Sequence, residues 1–528
     1  MRFTLVTSQP WLQLLILTFG ALLHGSYAAP ADIASVITQS RVQEIKQSTN
    51  NNIGAACCTL LKLGFGSLVS SSGSTKYQTS SSSYWSSQAQ SAAPSCVVSP
   101  TTTVQVSQTV AAINLLRVLG LQCQFAIRSG GHTPWAGAAT IQSGIQIDLS
   151  AINQVTVAAD QKTTSIGPGA RWVDVYMKLD ALSLAVIGGR AATVGVGGLV
   201  TGGGISFFSA RYGFAADNVV SFEVVLYDGS VVKASATSRP DLFFALKGGS
   251  NNFGIVTRFD LVTFSSGNFW GGSVIYPISA KAENLAAFVK FAGQSTYDVY
   301  GALIHSYAWS AASGGWIIAN NIEYTKPEVN PPVFQDFLAI QPQYVSTMRI
   351  SNLTDFTLEI AASNAGSRKQ LFYTSTWSND LQLLTDIVAL SEQSLETVAS
   401  VPDLAWSLSL QPLVTAITTK SAATGGNPLG LDGSDGNLVL GLITASWTST
   451  ADDAAVLAAV SGFYAAADAL AASKGQLNSY KYLNYAYKTQ DPIKGYGAAN
   501  VAKLRAVSKK YDPAGVFQKL VPGGFKLA

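Results

Sequence analysis

Apolar and polar residues alternate along short stretches in the first half of the chain, and this period of two predicts half-buried strands. The alternating stretches are residues 145–149, 155–157, 164–166, 219–226 and 231–234. Asp228-Gly229 separates the last two, so we expect them to form a hairpin. Apolar residues spaced three or four apart predict a helix over residues 104–119 and a second helix that contains Trp172 and Tyr176.

Longer elements alternate in the second half, between about residues 270 and 475. Helices are predicted over residues 281–292, 381–398 and 453–472, and strands over residues 303–309, 316–324, 371–377 and 438–447. This pattern is typical of an α+β domain in which helices back one sheet. The tail is expected to hold a buried aromatic strand over residues 480–485 and a helix over residues 498–511.

Two glycine-rich stretches interrupt the pattern of elements. Residues 128–132 read Arg-Ser-Gly-Gly-His directly after a short apolar strand, and residues 193–204 hold six glycines. Loops with so few side chains expose backbone N–H groups that can cradle phosphate oxygens. The stretches therefore indicate a nucleotide-type ligand, and the alternative is that the glycines only serve tight turns.

Composition narrows the class of protein. The chain has 528 residues, of which 48% are hydrophobic, so it can form about two to three domains with large cores. Only 12% of the residues are charged, the formal net charge is +3, and no run of Lys or Arg occurs. Nucleic acid and an anionic membrane are therefore not expected as partners.

The N-terminus carries an apolar stretch followed by Ser26-Tyr27-Ala28, which is typical of a secretory signal peptide cleaved after Ala28. An uncleaved anchor is the weaker alternative, because the apolar stretch is shorter than the roughly 20 residues that a spanning helix needs. No later segment has the pattern of a transmembrane helix. We therefore expect a secreted protein.

Secretion also changes the interpretation of the cysteines. Four of them lie in the first quarter of the chain and suggest two disulfides: Cys57, Cys58, Cys96 and Cys123. A bond between the adjacent Cys57 and Cys58 would be strained, so each of these two is expected to join Cys96 or Cys123. The sequon Asn352-Leu353-Thr354 is a plausible glycosylation site. The serine-rich residues 67–87 are expected to lie against a surface, because they include Tyr77, Tyr84 and Trp85.

Several chemistries are not expected from the motifs. The chain lacks a GxGxxG turn, a GxxxxGK[ST] loop, an HExxH helix and a GxSxG elbow. Once the leader is removed, only His132 and His305 remain as histidines. A metal centre or a hydrolase triad would have to use these two alone, so no metal site is predicted.

The motifs together resemble those of a known family. They are Arg128-Ser129-Gly130-Gly131-His132, Thr193-Val194-Gly195-Val196-Gly197-Gly198, Gly202-Gly203-Gly204, Tyr212-Gly213, Ala216-Asp217-Asn218-Val219, and residues 248–257. From about residue 57 to the C-terminus the chain resembles the berberine bridge enzyme-like group of FAD-linked oxidases, within the vanillyl-alcohol oxidase and p-cresol methylhydroxylase (PCMH) superfamily. Secreted fungal members are the most similar.

The resemblance implies an α+β fold with a two-part PCMH-type FAD-binding domain and a substrate domain. The implied divisions are a leader at 1–28, a helical and Ser-rich segment at 29–91, the FAD-binding domain at 92–266, the substrate domain at 267–476, and a C-terminal segment at 477–528 that returns to the FAD-binding domain. The substrate domain would carry one antiparallel sheet backed by helices.

The resemblance also assigns residues to FAD. His132 occupies the position that bonds covalently to the 8α-methyl group of the flavin, and the alternative is a histidine packed in a turn. Many relatives make a second bond through a cysteine at the position of Ala191, so a single histidyl link is implied here. The implied FAD contacts are Arg128, Ser129, Gly130, Gly131, Thr193, Val194, Gly197, Gly198, Gly202, Gly203, Gly254, Val256 and Asn484.

Tyr485 is the implied catalytic base, because residues 482–485 match the Tyr-x-Asn-Tyr segment of the family. A free phenol has a pKa of about 10, so work at neutral pH requires about 4 kcal/mol of preferential stabilisation of the phenolate. Lys481 would share a strand face with Tyr485 and is one candidate source. The aspartate that often follows in the family is Tyr487 here, which leaves the support of the base open. His305 is a further candidate for substrate contact, and a core position is the alternative.

These predictions combine into an expected function. The chain is expected to transfer a hydride from an alcohol or an activated C–H bond of a small molecule, a secondary metabolite or sugar, to FAD, with O₂ as acceptor and H₂O₂ as product. The alternatives are a dehydrogenase of the same fold that uses another acceptor, and a secreted binding protein without turnover. The oligomeric state stays open.

Overall fold

Three β-sheets organise the chain in this computed structural model, which describes residues 37–313 and 315–527. The predicted leader, residues 1–28, lies outside the described residues. Each sheet has its own hydrophobic core, and helices cover the outer faces. The α+β class that the sequence predicts is confirmed.

The first sheet belongs to the N-terminal part of the chain. Its helices are α1 (Gln39–Ser48), α2 (Ile53–Phe65), α3 (Thr75–Ser82), α4 (Ser87–Gln90) and α5 (Thr103–Val118), and its strands are β1 (Val69–Ser70), β2 (Cys96–Val98), β3 (Phe125–Arg128) and β4 (Ile145–Asp148). The order is β1-β2-β4-β3, and the last three strands are parallel. The first glycine-rich stretch, residues 128–132, begins at the last residue of β3.

Two disulfides hold α2 against this sheet. Cys57 bonds to Cys123, just before β3, and Cys58 bonds to Cys96 in β2. The neighbouring cysteines thus have separate partners, as expected. The serine-rich stretch forms α3 in part, and Tyr77, Tyr84 and Trp85 are buried as predicted.

The second sheet is antiparallel and carries the second glycine-rich stretch. Its elements are β5 (Val155–Val157), β6 (Thr163–Ile166), α6 (Trp172–Asp180), β7 (Leu184–Val186), α7 (Val196–Thr201), α8 (Ser209–Tyr212), β8 (Val219–Val225), β9 (Val231–Ser235), α9 (Pro240–Leu246) and β10 (Ile255–Ser265). The order is β5-β6-β10-β8-β9, with β7 also on β10. Strands β8 and β9 form the predicted hairpin.

The third sheet has nine antiparallel strands. Its strands are β11 (Phe269–Pro277), β12 (Gly301–Ser310), β13 (Gly315–Tyr324), β14 (Val345–Ser346), β15 (Arg349–Ser351), β16 (Lys369–Ser378), β17 (Ala405–Leu413), β18 (Leu438–Trp447) and β19 (Leu477–Asn478). Its helices are α10 (Lys281–Ala292), α11 (Gln335–Leu338), α12 (Leu353–Ala362), α13 (Leu381–Glu396), α14 (Thr415–Thr418) and α15 (Asp453–Ser473).

One face of this sheet packs on helices α10, α13 and α15, with Trp377, Trp406 and Tyr464 buried in that core. The predicted single antiparallel sheet backed by helices is therefore confirmed. Among the described residues, α15 is the one helix that is long and apolar enough to cross a membrane by length and composition. Six of its residues are buried in this fold.

The C-terminal tail departs from the predicted strand. Strand β19 ends at Asn478, and Leu483–Tyr485 forms a single 3₁₀ turn, so a strand over residues 480–485 is wrong. Both Tyr480 and Tyr482 enter the core of the second sheet, and the Tyr482 hydroxyl accepts a hydrogen bond from Ile205 N at 3.1 Å. The predicted helix α16 (Ala498–Tyr511) is followed by α17 (Val516–Lys519).

We predict that removal of one disulfide by Cys57→Ser with Cys123→Ser leaves no titratable thiol in denaturant, because Cys58 and Cys96 stay bonded to each other. The loss of the cross-link should lower the free energy of unfolding by about 2–5 kcal/mol. Thiol titration and denaturant unfolding measure the two effects. The control pair, Cys57→Ser with Cys96→Ser, should expose two thiols, those of Cys58 and Cys123. Two thiols in the first variant and none in the control would refute this pairing.

Candidate active site

A cavity of about 770 Å³ lies between the loops of the first two sheets and the open face of the third. Its walls come from the segment after β3, the segment between β7 and α7, the start of β10, the strands β12 and β17, and the turn at Leu483–Tyr485. The motifs found in the sequence therefore meet in space. Twelve predicted site residues line this cavity: Ser129, Gly130, Gly131, His132, Thr193, Val194, Gly197, Gly198, Gly254, Val256, Asn484 and Tyr485.

The two glycine-rich stretches touch through their backbones. A Cβ at Gly130 would lie 2.5 Å from the Cα and N atoms of Gly195, and a Cβ at Gly195 would lie 2.3 Å from Gly130 N. Ser129 reinforces the contact, because its hydroxyl accepts a hydrogen bond from Gly197 N at 3.2 Å and donates to Pro168 O. Only glycine allows this approach at either position.

The same contact presents bare backbone to the cavity. A Cβ at Gly198, in the first turn of α7, would meet no atom within 4 Å, so this face of the helix opens into the cavity. A strip of peptide without side chains suits the pyrophosphate of a dinucleotide, which needs close approach to N–H groups. The residues present therefore fit FAD.

His132 is held at one end of the strip by two neighbours. Its ring stacks on Trp85 with centroids 4.4 Å apart and planes 12° apart, and its Nε2 lies 3.0 Å from the Thr193 hydroxyl. Burial of the ring, with a smaller effect of the Arg171 cation, lowers the pKa of His132 to about 3. The imidazole is therefore neutral near pH 7, which is the form that can act as a nucleophile.

Three residues predicted to bind FAD lie behind the cavity wall. The Arg128 guanidinium is buried, 3.2 Å from Asp148 Oδ2, and also donates to Ser80 O and to the Ser83 hydroxyl. It thus joins α3 to the first sheet and does not face the cavity. Gly202 and Gly203 are also placed behind the wall; Gly202 leaves room for Asn484, whose Oδ1 would lie 2.1 Å from a Cβ there.

Tyr485 projects into the cavity beside an arginine. Its hydroxyl accepts a hydrogen bond from Arg190 Nη2 at 3.0 Å and donates to Gln411 Oε1 at 3.4 Å. Arg190 Nη2 also donates to Gln411, so each of the three side chains is hydrogen-bonded to the other two. Lys481, the predicted support, instead bonds to Asp468 Oδ2 at 3.2 Å and the Ser375 hydroxyl at 3.3 Å. That prediction is wrong because the segment is not a strand.

Sequence reasoning missed Arg190, Gln411 and Trp85 as parts of the site. Arg190 lies 295 residues before Tyr485, and Gln411 belongs to a strand of another sheet. No local pattern joins such distant positions. Trp85 was expected only to lie against a surface, and the partner that it covers is the ring of His132.

His305 lies on the opposite face of the third sheet. Its ring is fully buried near Phe288 of α10, and its Nδ1 lies 2.6 Å from Asn320 Oδ1. Burial lowers the pKa of His305 to about 4. Substrate contact is therefore ruled out, and the core position given as the alternative is the observed one. Within residues 37–313 and 315–527, no group of three His, Cys, Asp or Glu side chains could hold a metal ion.

A glycine-lined cleft that fits a dinucleotide, facing a sheet that carries polar side chains, indicates an enzyme with a dinucleotide cofactor, and the comparisons identify it as an FAD-linked oxidoreductase. Comparison with known proteins supports this class directly, since a family model described as "FAD binding domain" matches residues 94–235. The chain belongs to the family of fungal FAD-dependent monooxygenases, because relatives with that name are 36–40% identical over most of its length.

Relatives extend the match over nearly the whole chain. The FAD-dependent monooxygenase sdcF of Emericella nidulans is 40% identical over 90% of this chain and 99% of that protein. The FAD-dependent monooxygenase tpcD of Cochliobolus heterostrophus is 36% identical over 84% of this chain and 87% of that protein. Among solved structures, 6-hydroxy-D-nicotine oxidase from Arthrobacter nicotinovorans shares the fold with a TM-score of 0.70 at 18% identity, over 87% of this chain and 97% of that chain.

We predict that Gly130→Ala and Gly198→Ala separate folding from cofactor binding. The Gly130 variant must push two backbones apart, so its stability should fall by about 1–3 kcal/mol and its flavin content with it. The Gly198 variant meets open space, so the flavin-free protein should keep its stability while flavin content falls. Thermal unfolding and the ratio of flavin to protein absorbance measure these effects. Full flavin content in the Gly198 variant would contradict the assignment of this strip.

Proposed function

We propose that the protein is a secreted FAD-dependent oxidase that removes a hydride and a proton from an alcohol or an activated C–H group of a small molecule. The observation that carries this proposal is the set of Tyr485, Arg190 and Gln411 in the cavity that also holds the glycine strip. When bound, FAD supplies the hydride acceptor, and O₂ takes up the electrons as hydrogen peroxide. The protein supplies the base and the orientation of the substrate.

Tyr485 is the proposed base. Arg190 donates a hydrogen bond to the Tyr485 oxygen at 3.0 Å, so the guanidinium orients the hydroxyl and lies beside the atom from which the base would act. Gln411 fixes the direction of both groups through its carbonyl oxygen. Arg190 is thereby the proposed support of Tyr485, a role for which Lys481 was the candidate from the sequence.

His132 is the proposed point of covalent attachment for FAD through a single histidyl link. The stacked Trp85 fixes the ring plane, and the Thr193 hydroxyl engages Nε2, so the ring is held in one orientation at the end of the strip. Ala191 offers no thiol for a second bond. A covalent link prevents loss of the cofactor outside the cell.

Insertion of oxygen into the substrate is the second candidate reaction. The relatives sdcF and tpcD are both named FAD-dependent monooxygenases, which favours it. The two reactions differ in the fate of O₂, because an oxidase releases one peroxide per O₂ and a monooxygenase places one oxygen atom in the product. Peroxide yield and isotope incorporation from labelled O₂ distinguish them.

Secretion is supported by the four cysteines, all of which are paired in disulfides. A small molecule and O₂ are the proposed partners. Detection of the processed chain outside the cell, with Ala29 as its first residue, is the measurement that tests secretion and leader removal.

We predict that the wild-type protein keeps its yellow colour in the pellet after acid precipitation, whereas His132→Ala releases the flavin to the supernatant. The physical reason is that the variant lacks the nitrogen that bonds to the 8α carbon. His305→Asn is the matched control, because that histidine lies on the far face of the sheet and should leave the flavin attached. Free flavin from the wild-type protein would refute the link.

We predict that Tyr485→Phe slows anaerobic flavin reduction by about 10²–10⁴-fold, the usual contribution of a general base. Arg190→Gln should slow the same step, because the Tyr485 hydroxyl loses the hydrogen bond that orients it. Stopped-flow absorbance measures both rates. Lys481→Gln is the control and should leave the rate unchanged, because Lys481 bonds to Asp468 and Ser375; a slower rate there but not in the Arg190 variant would overturn the assignment.

A further inference from the structure

The lining of the cavity carries positive charge and no negative charge. Among the described residues that line it there is no Asp, Glu or Lys, and the charged side chains are those of Arg190 and Arg368. A cationic substrate would therefore bring its charge close to two other cations and find no counterion. An anionic substrate would find two, so the lining favours anions over cations.

Arg368 lies at the mouth of the cavity, where its residue is held at both ends by backbone groups. Ser363 and Asn364, in the segment before it, also line the cavity and are exposed. The Arg368 carbonyl oxygen accepts a hydrogen bond from Ser87 N at 2.9 Å, and its Nη2 donates to Asp403 O. The guanidinium is thus fixed by a neutral carbonyl group, which leaves its charge without a counterion among the described residues.

One donor of this guanidinium has no partner. The Nε atom of Arg368 is buried and makes no hydrogen bond within the described part of the chain. A buried N–H group without an acceptor costs free energy, because it has lost its contact with water. Since Arg368 lines the cavity, a ligand there is in position to supply the acceptor. The planar fork of a guanidinium matches the two oxygens of a carboxylate.

The two arginines bond near opposite ends of strand β17. Arg190 donates to Gln411, close to the end of the strand. Arg368 donates to Asp403, two residues before the strand begins at Ala405. The stretch of β17 from Ala405 to Gln411 is roughly 20 Å long. An anionic group at Arg368 therefore lies far from the carbon that reacts beside the proposed base.

The floor of the cavity between the two arginines consists of small polar residues. Ser407 and Ser409 of β17 line the cavity, as does Thr444, which lies opposite Ser407 on β18. The Ser409 hydroxyl is 2.8 Å from that of Ser306 on the neighbouring β12. Side chains of this size leave space above the strand, so an extended molecule can lie along β17.

We propose that Arg368 is a specificity-determining residue that binds a carboxylate of the substrate at the mouth of the cavity, while the carbon to be oxidised lies beside Tyr485. The substrate class is thus an elongated carboxylic acid in its anionic form. Amines are rejected because the lining offers them no counterion. The placement of the reacting carbon, and only that, rests on the proposed function.

Calorimetric titration of the flavin-loaded protein at pH 7 tests the charge preference. The probes are three biphenyls with a hydroxymethyl group at one end and a carboxylate, a carboxamide or an aminomethyl group at the other. We expect the carboxylate to bind at least about tenfold more tightly than the carboxamide, and the cationic amine to bind most weakly. Equal affinities, or no binding of the carboxylate at millimolar concentration, would overturn the proposal.

Variants assign the preference to one residue. Arg368→Gln should reduce the advantage of the carboxylate over the carboxamide to within about threefold, because the charge and the fork are lost. Arg368→Lys keeps the charge without the fork, should retain only part of the advantage, and serves where the glutamine variant does not fold. Lys369→Gln is the matched control, since Lys369 pairs with Asp453 at 3.1 Å and does not line the cavity. Its advantage should equal that of the wild type.

Three results with these variants would contradict the assignment. They are an advantage that persists in Arg368→Gln, an advantage lost in Arg190→Gln alone, which would place the carboxylate at the inner end, and loss of flavin from Arg368→Gln, which would assign the residue to the cofactor. Binding requires no turnover, so the titrations stand even if Tyr485→Phe proves fully active. Failure of this inference and failure of the proposed base are therefore distinguishable.

Discussion

The contact between Gly130 and Gly195 is the constraint on which the rest of the structure depends. Strand β3 of the first sheet and the segment before α7 of the second sheet end in loops whose backbones meet with no space for a side chain. The contact fixes the relative position of two sheets that have separate cores. It also leaves a strip of peptide open to the cavity, and His132 lies at the end of that strip. Fold and cofactor site are thus consequences of one steric requirement.

The protein treats its buried charges in two different ways. Arg128 and Asp148 cancel each other, and the hydroxyl groups of Ser80 and Ser83 add hydrogen bonds to the pair, so that this pair serves the architecture. Arg190 is treated differently, because among the described residues no carboxylate forms an ion pair with it and its hydrogen bonds go to Gln411 and Tyr485. Its guanidinium thus faces the Tyr485 hydroxyl at 3.0 Å.

Sequence reasoning recovered the parts of the fold that local pattern determines. The predicted helices at residues 281–292 and 498–511 have the same bounds in the structure, since both start and stop signals and the apolar spacing are local. The glycine motifs were also predictable, because a position at which no Cβ fits is occupied by glycine, and that is visible in the sequence. Arg128 shows the limit: its motif placed it correctly in the chain, but only the packing of α3 determines that its guanidinium turns away from the cavity. Arg190 and Gln411 reach the site from distant segments, and no periodicity links them.

The 3₁₀ turn at Leu483–Tyr485 explains how a single short segment serves both sides of the cavity. In a strand, Asn484 and Tyr485 would point to opposite faces, and one of them would leave the cavity. The turn brings both to the lining. Asn484 Nδ2 donates to Leu199 O at 3.0 Å, in the helix that carries the glycine strip, while Tyr485 reaches Arg190 on the substrate side. The break in alternation therefore couples the position of Tyr485, the proposed base, to the position of the cofactor strip through one peptide bond.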